Sequence, residues 1–89
     1  MYAVELKPGA LRALRETLPS AVSFAVAEML GGPLRTIPRV VGKPLNDPFG
    51  RLWVLRREAY RVLYDINDDA MIVTVIRIAH RRDAYRRLD

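Results

Sequence analysis

Residues 52–79 read LWVLRREAYRVLYDINDDAMIVTVIRIA, and this stretch decides the fold. It divides into three runs of strand-favouring residues with a period of two: Leu52 to Arg56, Tyr60 to Ile66 and Met71 to Ala79. The separators Arg57-Glu58-Ala59 and Asn67-Asp68-Asp69 are turn-like, so the runs are expected to form an antiparallel meander. Within the second run, Tyr60, Val62, Tyr64 and Ile66 share one face, while Arg61 and Asp65 project from the other. Tyr60 and Tyr64 are therefore expected in the core and Arg61 on the open face. Trp53 shares a face with Arg51 and Leu55 and reads either as core or as an exposed contact.

Upstream of this stretch, Tyr2 to Leu6 alternates as a short strand ended by Lys7-Pro8-Gly9. Leu11, Leu14 and Leu18 then recur at helical spacing, and Val22, Val26, Met29 and Leu30 form a second stripe over Ser20 to Leu30, closed by Gly31-Gly32-Pro33. Two helices packed as an antiparallel hairpin are expected. Pro33 to Gly50 holds four of the six prolines and reads as a surface connection carrying Lys43. After the meander, Arg81 to Asp89 is a short polar segment of one or two helical turns. The expected fold class is α+β: an N-terminal strand, a helical hairpin and a three-stranded antiparallel meander in one sheet packed on the helices.

With 89 residues, 51% of them hydrophobic and 28% charged, the chain has the composition of one small globular domain spanning residues 1–89. The absence of cysteine excludes a disulfide scaffold and a thiolate metal site, and a single histidine leaves a zinc cluster short of ligands. No metal or cofactor is expected. Met1-Tyr2-Ala3-Val4-Glu5-Leu6-Lys7-Pro8 lacks the basic start and apolar core of a signal peptide, and no stretch is long enough to span a bilayer. A cytoplasmic protein without a membrane partner is expected. The formal net charge is +5, and 13 of the 15 basic residues are Arg. Because guanidinium groups fork onto phosphate and stack on bases, nucleic acid is a better match than lipid.

A single surface arginine is usually only paired with an acidic neighbour. Here Arg51, Arg56, Arg57, Arg61, Arg77, Arg81 and Arg82 crowd around one small sheet, and like charges placed together repel unless an anion relieves them. Tyr85 lies four residues beyond Arg81, so a helical tail brings the two to one side; the alternative reading is a tyrosine that tethers the tail. His80 has the side chain suited to proton transfer near neutral pH, and is equally readable as structural. There is no glycine-rich phosphate loop, glycosidase-like acid pair or Ser-His-Asp order.

Taken together, Tyr60-Arg61-Val62-Leu63-Tyr64 and His80-Arg81-Arg82-Asp83-Ala84-Tyr85-Arg86, preceded by Gly42-Lys43-Pro44-Leu45 and Gly50-Arg51-Leu52-Trp53-Val54-Leu55-Arg56, resemble the RelE branch of the RelE/ParE toxin superfamily over nearly the whole chain. The resemblance implies a ribosome-dependent, metal-independent messenger RNA endoribonuclease, restrained by a cognate antitoxin and meeting operon DNA only through that antitoxin. It implies that Arg61 and Arg81 stabilise the phosphate, that Tyr85 is the general base and that His80 belongs to the catalytic set. Arg51, Arg56, Arg57, Arg82 and Lys43 are then the expected RNA-binding residues. Relatives that carry paired lysines in the first meander strand have them where this chain has Leu52 and Val54. Either Arg51, Arg56 and His80 compensate, or the activity is weaker. The alternatives are a ParE-like toxin that inhibits DNA gyrase without nuclease activity, and an RNA-binding module that does not cut.

Overall fold

The computed structural model describes residues 1–88. The chain opens with strand β1 (Ala3–Leu6), followed by helices α1 (Pro8–Arg12), α2 (Ser20–Gly31), α3 (Pro33–Thr36) and α4 (Pro38–Val41). Strands β2 (Lys43–Pro44), β3 (Trp53–Arg57), β4 (Tyr60–Asn67) and β5 (Ile72–His80) complete the sheet, and one turn of helix, α5 (Arg81–Ala84), follows. The result is a mixed α+β fold around a five-stranded sheet of order β1-β5-β4-β3-β2, with β1 parallel to β5 and the remaining pairs antiparallel. Among the described residues no helix is long and apolar enough to cross a membrane.

The expected helical hairpin is present. α1 passes into a π-helical turn, Ala13–Thr17, before the chain reverses into α2, and the Ser23 hydroxyl ties the two together by donating to the Leu14 carbonyl at 2.6 Å. Leu14, Leu18, Val22, Val26, Met29 and Leu30 all pack against the sheet, as their spacing requires. Full burial of a side chain such as Val26 or Leu34 contributes about 1.5–3 kcal/mol, so these few residues carry much of the domain's cohesion.

The segment from Pro33 to Gly50 differs from the expected surface connection. Pro33 and Pro38 each begin a short helix, where a missing N–H costs nothing and the fixed φ is already helical. Those helices bury Leu34 and Pro38, and β2 adds a fifth strand beyond the meander. The meander itself is as expected, with its turns at Glu58-Ala59 and at residues 68–71. The expected tail extends to Asp89, which lies outside the described residues; up to Leu88 it holds the single turn α5.

One irregularity sets the faces of the sheet. Leu63 pairs with Arg77 but Tyr64 pairs with Val75, so Ile76 is an extra residue in β5. Before this bulge Val73 and Val75 face the helices; after it Ile78 and His80 do. Strict alternation would have turned Arg77 into the core and Ile78 out of it. The bulge reverses both assignments.

Tyr64 is fully buried, as expected, and its hydroxyl donates to the Pro38 carbonyl at 2.5 Å, joining sheet to α4. Gly42 makes that approach possible, because a Cβ there would clash with the Tyr64 hydroxyl and lie 2.9 Å from both Tyr64 Cζ and the Val54 carbonyl. Tyr60, by contrast, is only half-buried and stands outside the core, with its ring edge-on to His80 at 5.3 Å. Trp53 is half-buried against the core, with the Arg39 guanidinium 5.9 Å above its ring. Arg39 also forks onto Asp68 at 2.7 and 3.2 Å, and Tyr2 donates to the same carboxylate at 2.6 Å.

Burial pushes the Tyr64 phenol from 10.0 up to about 12. Below pH 10 the group is neutral in both folded and unfolded chains; above it the unfolded chain ionises first, so stability falls as pH rises from 10 to 12. The expected loss is about 2–3 kcal/mol. Urea denaturation should show this decline, and Tyr64→Phe should lose about 1–2 kcal/mol at neutral pH while flattening its share of the alkaline decline.

Candidate active site

Residues paired directly across antiparallel strands share a face, so the register builds the outer surface, the one turned away from α1 to α4. Arg56 stands opposite Arg61, Arg61 opposite Ala79, Val54 opposite both Lys43 and Leu63, and Leu63 opposite Arg77. Two arginines directly across a ladder destabilise it, so this face carries a positive charge that folding alone does not explain. Arg61 is half-buried, and one of its guanidinium nitrogens donates to the Glu58 carbonyl at 3.0 Å and the Tyr60 carbonyl at 2.9 Å. These bonds orient it at the β3–β4 turn and leave its other donors open. Arg56, Arg57, Arg81 and Lys43 are exposed, and their charged groups make no ion pair or hydrogen bond among the described residues.

The C-terminal turn is laid over the same face. Ala84 is fully buried and forms a small apolar cluster with Val54 and Leu63, joined by Leu45 and Ala79. The Arg81 amide donates to the Ala59 carbonyl at 2.7 Å, which sets the start of α5 beside the turn that holds Arg61. Arg56, Arg61 and Arg81 are thus gathered at one end of the sheet, with Arg57 at the end of β3 beside them. Tyr85 follows at the end of α5, exposed, its ring edge-on to Phe49 at 5.8 Å between centroids.

Several expected members lie elsewhere or are already paired. Arg51 bonds Asp65 at 2.9 Å, so its charge is met by a carboxylate. Arg82 lies 3.8 Å from Asp83, whose other oxygen is 3.1 Å from Arg86. His80 is turned from the Arg61 face: the bulge at Ile76 leaves it opposite Tyr60, on the side of the helices, and its Nδ1 accepts from the Arg82 amide at 3.2 Å as the N-cap of α5. The structural reading of His80 is the one the geometry favours.

Val54, in place of a lysine, is almost fully buried as the floor beneath Ala84. Leu52 closes the preceding loop, its carbonyl accepting from the Leu45 amide at 2.9 Å. The cation nearest in register to Val54 is Lys43 on β2, which the sequence placed in a connection without linking it to that position. Sequence reasoning also left Arg77 as one charge among many. It donates to four carbonyls of the tail, and the only signal was an arginine inside an apolar run.

Among the described residues no group of His, Cys, Asp or Glu could hold a metal ion. The arrangement offers several open guanidinium groups, an ammonium and a phenol, which suits binding a phosphodiester and stabilising negative charge that develops on it.

Residues 4–85 match the family model for the ParE toxin of type II toxin-antitoxin systems. The chain is 40% identical over 86 residues to Toxin RelG of Mycobacterium tuberculosis, covering 97% of this chain and 98% of RelG. It is 39% identical over 85 residues to Toxin RelE of the same organism, covering 96% of this chain and 87% of that one. The structure resembles a chain of the M. tuberculosis toxin-antitoxin complex RelBE2 with a TM-score of 0.82 and 38% identity, over 90% of this chain and 98% of that chain.

Replacing Arg56 by Glu converts the like-charged pair with Arg61 into an opposite pair. Stability should rise by about 0.5 kcal/mol at low salt. The gain should shrink in concentrated salt, as followed by urea midpoints. A loss of stability would show that Arg56 and Arg61 do not repel.

Proposed function

The chain belongs to the ParE toxin family of type II toxin-antitoxin systems and is a RelE-type toxin within it, and from that premise we propose that it is a ribosome-dependent, metal-independent endoribonuclease acting on messenger RNA in the cytoplasm. The observation that carries this reading is the convergence of Arg56, Arg61 and Arg81 at the β3–β4 turn, with Tyr85 one helical turn further on. In the proposed reaction the ribose 2′-hydroxyl attacks the neighbouring phosphorus. The 5′-oxygen leaves and takes a proton from water, and the products are a 2′,3′-cyclic phosphate and a 5′-hydroxyl.

Tyr85 takes the proton of the attacking hydroxyl. A phenol does this only with cations nearby to stabilise its ionised form, and the arginines of the cluster are the available ones. Arg81 and Arg61 carry the charge that builds on the non-bridging oxygens, while Arg56, Arg57 and Lys43 hold the RNA backbone. Lys43, next to Val54 in the register, supplies the ammonium that the first meander strand lacks. Arg51 and Arg82, each beside a carboxylate, contribute less.

The proposed restraining partner is a cognate antitoxin, and the net charge of +5 suits an acidic one. RelBE2 is itself a toxin-antitoxin complex.

Purified protein added to programmed ribosomes should release fragments with cyclic-phosphate 3′ ends inside codons. Tyr85→Phe should lower single-turnover cleavage by about 100-fold or more. Arg81→Ala should lower it by a similar factor. Both variants should keep the wild-type melting temperature. Intact RNA on toxin-bound ribosomes, together with inhibited gyrase supercoiling, would replace this reading with the gyrase one.

A further inference from the structure

Arg77 points outward beneath the tail, and its acceptors are all main-chain. One guanidinium nitrogen donates to the carbonyls of Asp83, Ala84 and Arg86 at 3.4, 3.3 and 2.8 Å; the other donates to the Arg87 carbonyl at 3.0 Å. The Asp83 carbonyl also accepts from the Arg86 amide at 3.3 Å, while the Arg86 and Arg87 carbonyls lie beyond the one-turn helix. Among the described residues no carboxylate pairs with this guanidinium, and Asp83 is engaged by Arg82 and Arg86.

The start of the turn is fixed by the Arg81 amide on the Ala59 carbonyl at 2.7 Å and by His80 as N-cap, and its far end has fewer attachments. Ala84 supplies a single small buried contact, and beyond it a cavity of about 750 Å³, bordered by Lys7, Ile76, Asp83, Arg86 and Leu88, separates the tail from the start of α1. Tyr85 lies within the span held by Arg77 and has only the edge contact with Phe49 to fix its ring. A tether that sets where Tyr85 stands must therefore act through the backbone around it.

We infer that Arg77 is a positioning residue: by clasping the carbonyls on both sides of Tyr85 it fixes where the phenol stands at the end of α5, against Phe49. The catalytic part of this inference rests on the proposed nuclease reading; the clasp itself does not. Lysine cannot reproduce it, since one ammonium cannot span four acceptors on two branches. The side chain is half-buried on the surface side of the sheet, so Arg77→Gln keeps the core intact.

The test compares wild type, Arg77→Gln and Arg77→Lys by amide hydrogen exchange, by ring-proton contacts between Tyr85 and Phe49 in NMR spectra, and by cleavage on programmed ribosomes. In Arg77→Gln, the Tyr85 and Arg86 amides should exchange at least tenfold faster, the Tyr85–Phe49 contact should weaken, and exchange in β4 should stay unchanged. Single-turnover cleavage should fall at least tenfold with ribosome binding unaltered. Arg77→Lys should restore only part of either. If cleavage falls while tail exchange and the ring contact stay as in wild type, Arg77 touches RNA directly and the inference is overturned. It is equally overturned if the tail loosens and cleavage does not change. If wild type itself cleaves nothing, the nuclease reading and the catalytic part of the inference fail together, and the exchange and ring measurements alone decide whether the clasp exists.

Discussion

Ile76 is the residue of β5 that has no partner in β4, and the ladder resumes beyond it in the opposite phase. Everything the two faces carry near the C-terminus follows from that shift. Val73 and Val75 before the bulge and Ile78 after it all enter one core, although they differ in parity along the strand. Arg77 is released to the outer face, and His80 is drawn to the inner one. An unbulged strand would bury an arginine among aliphatic side chains, at a cost of several kcal/mol without a partner. The bulge avoids that cost and leaves a cation under the tail.

The two faces then divide the labour of the molecule. The inner face is a conventional apolar interior, tied to α4 through the Tyr64 hydroxyl and the space that Gly42 leaves for it. The outer face has a small apolar cluster, Val54, Leu63 and Ala84, and around it the charges of Arg56, Arg61, Arg81 and Lys43 accumulate without carboxylate partners among the described residues. A face so arranged stabilises the fold little and repels itself. That pattern is expected where local stability has been given up for binding an anion.

Much of this was legible in the sequence because it obeys simple periodicities. Tyr64 in the core, Arg61 on the opposite face and the helical stripes from Leu14 to Leu30 all follow from spacing alone. What was not legible has physical reasons. A bulge depends on pairing between strands, which one strand's pattern does not reveal, so the choice between a catalytic and a structural His80 stayed open. Prolines were read as breakers, yet Pro33 and Pro38 begin helices that bury Leu34. Arg51 was counted with the open cations because its partner, Asp65, is fourteen residues away in sequence. The link between Lys43 and Val54 exists only through the ladder joining β2 to β3.

The bonds from Arg77 to the tail end on main-chain oxygens, and a carbonyl is the same whichever residue bears it. The attachment is therefore blind to the identity of the side chains it fastens. Only Ala84 must stay small, since it is packed against Val54 and Leu63. The bonds to residues 86 and 87 do not depend on the charge or length of those side chains. Recognition at this edge of the molecule can drift while its architecture stands still.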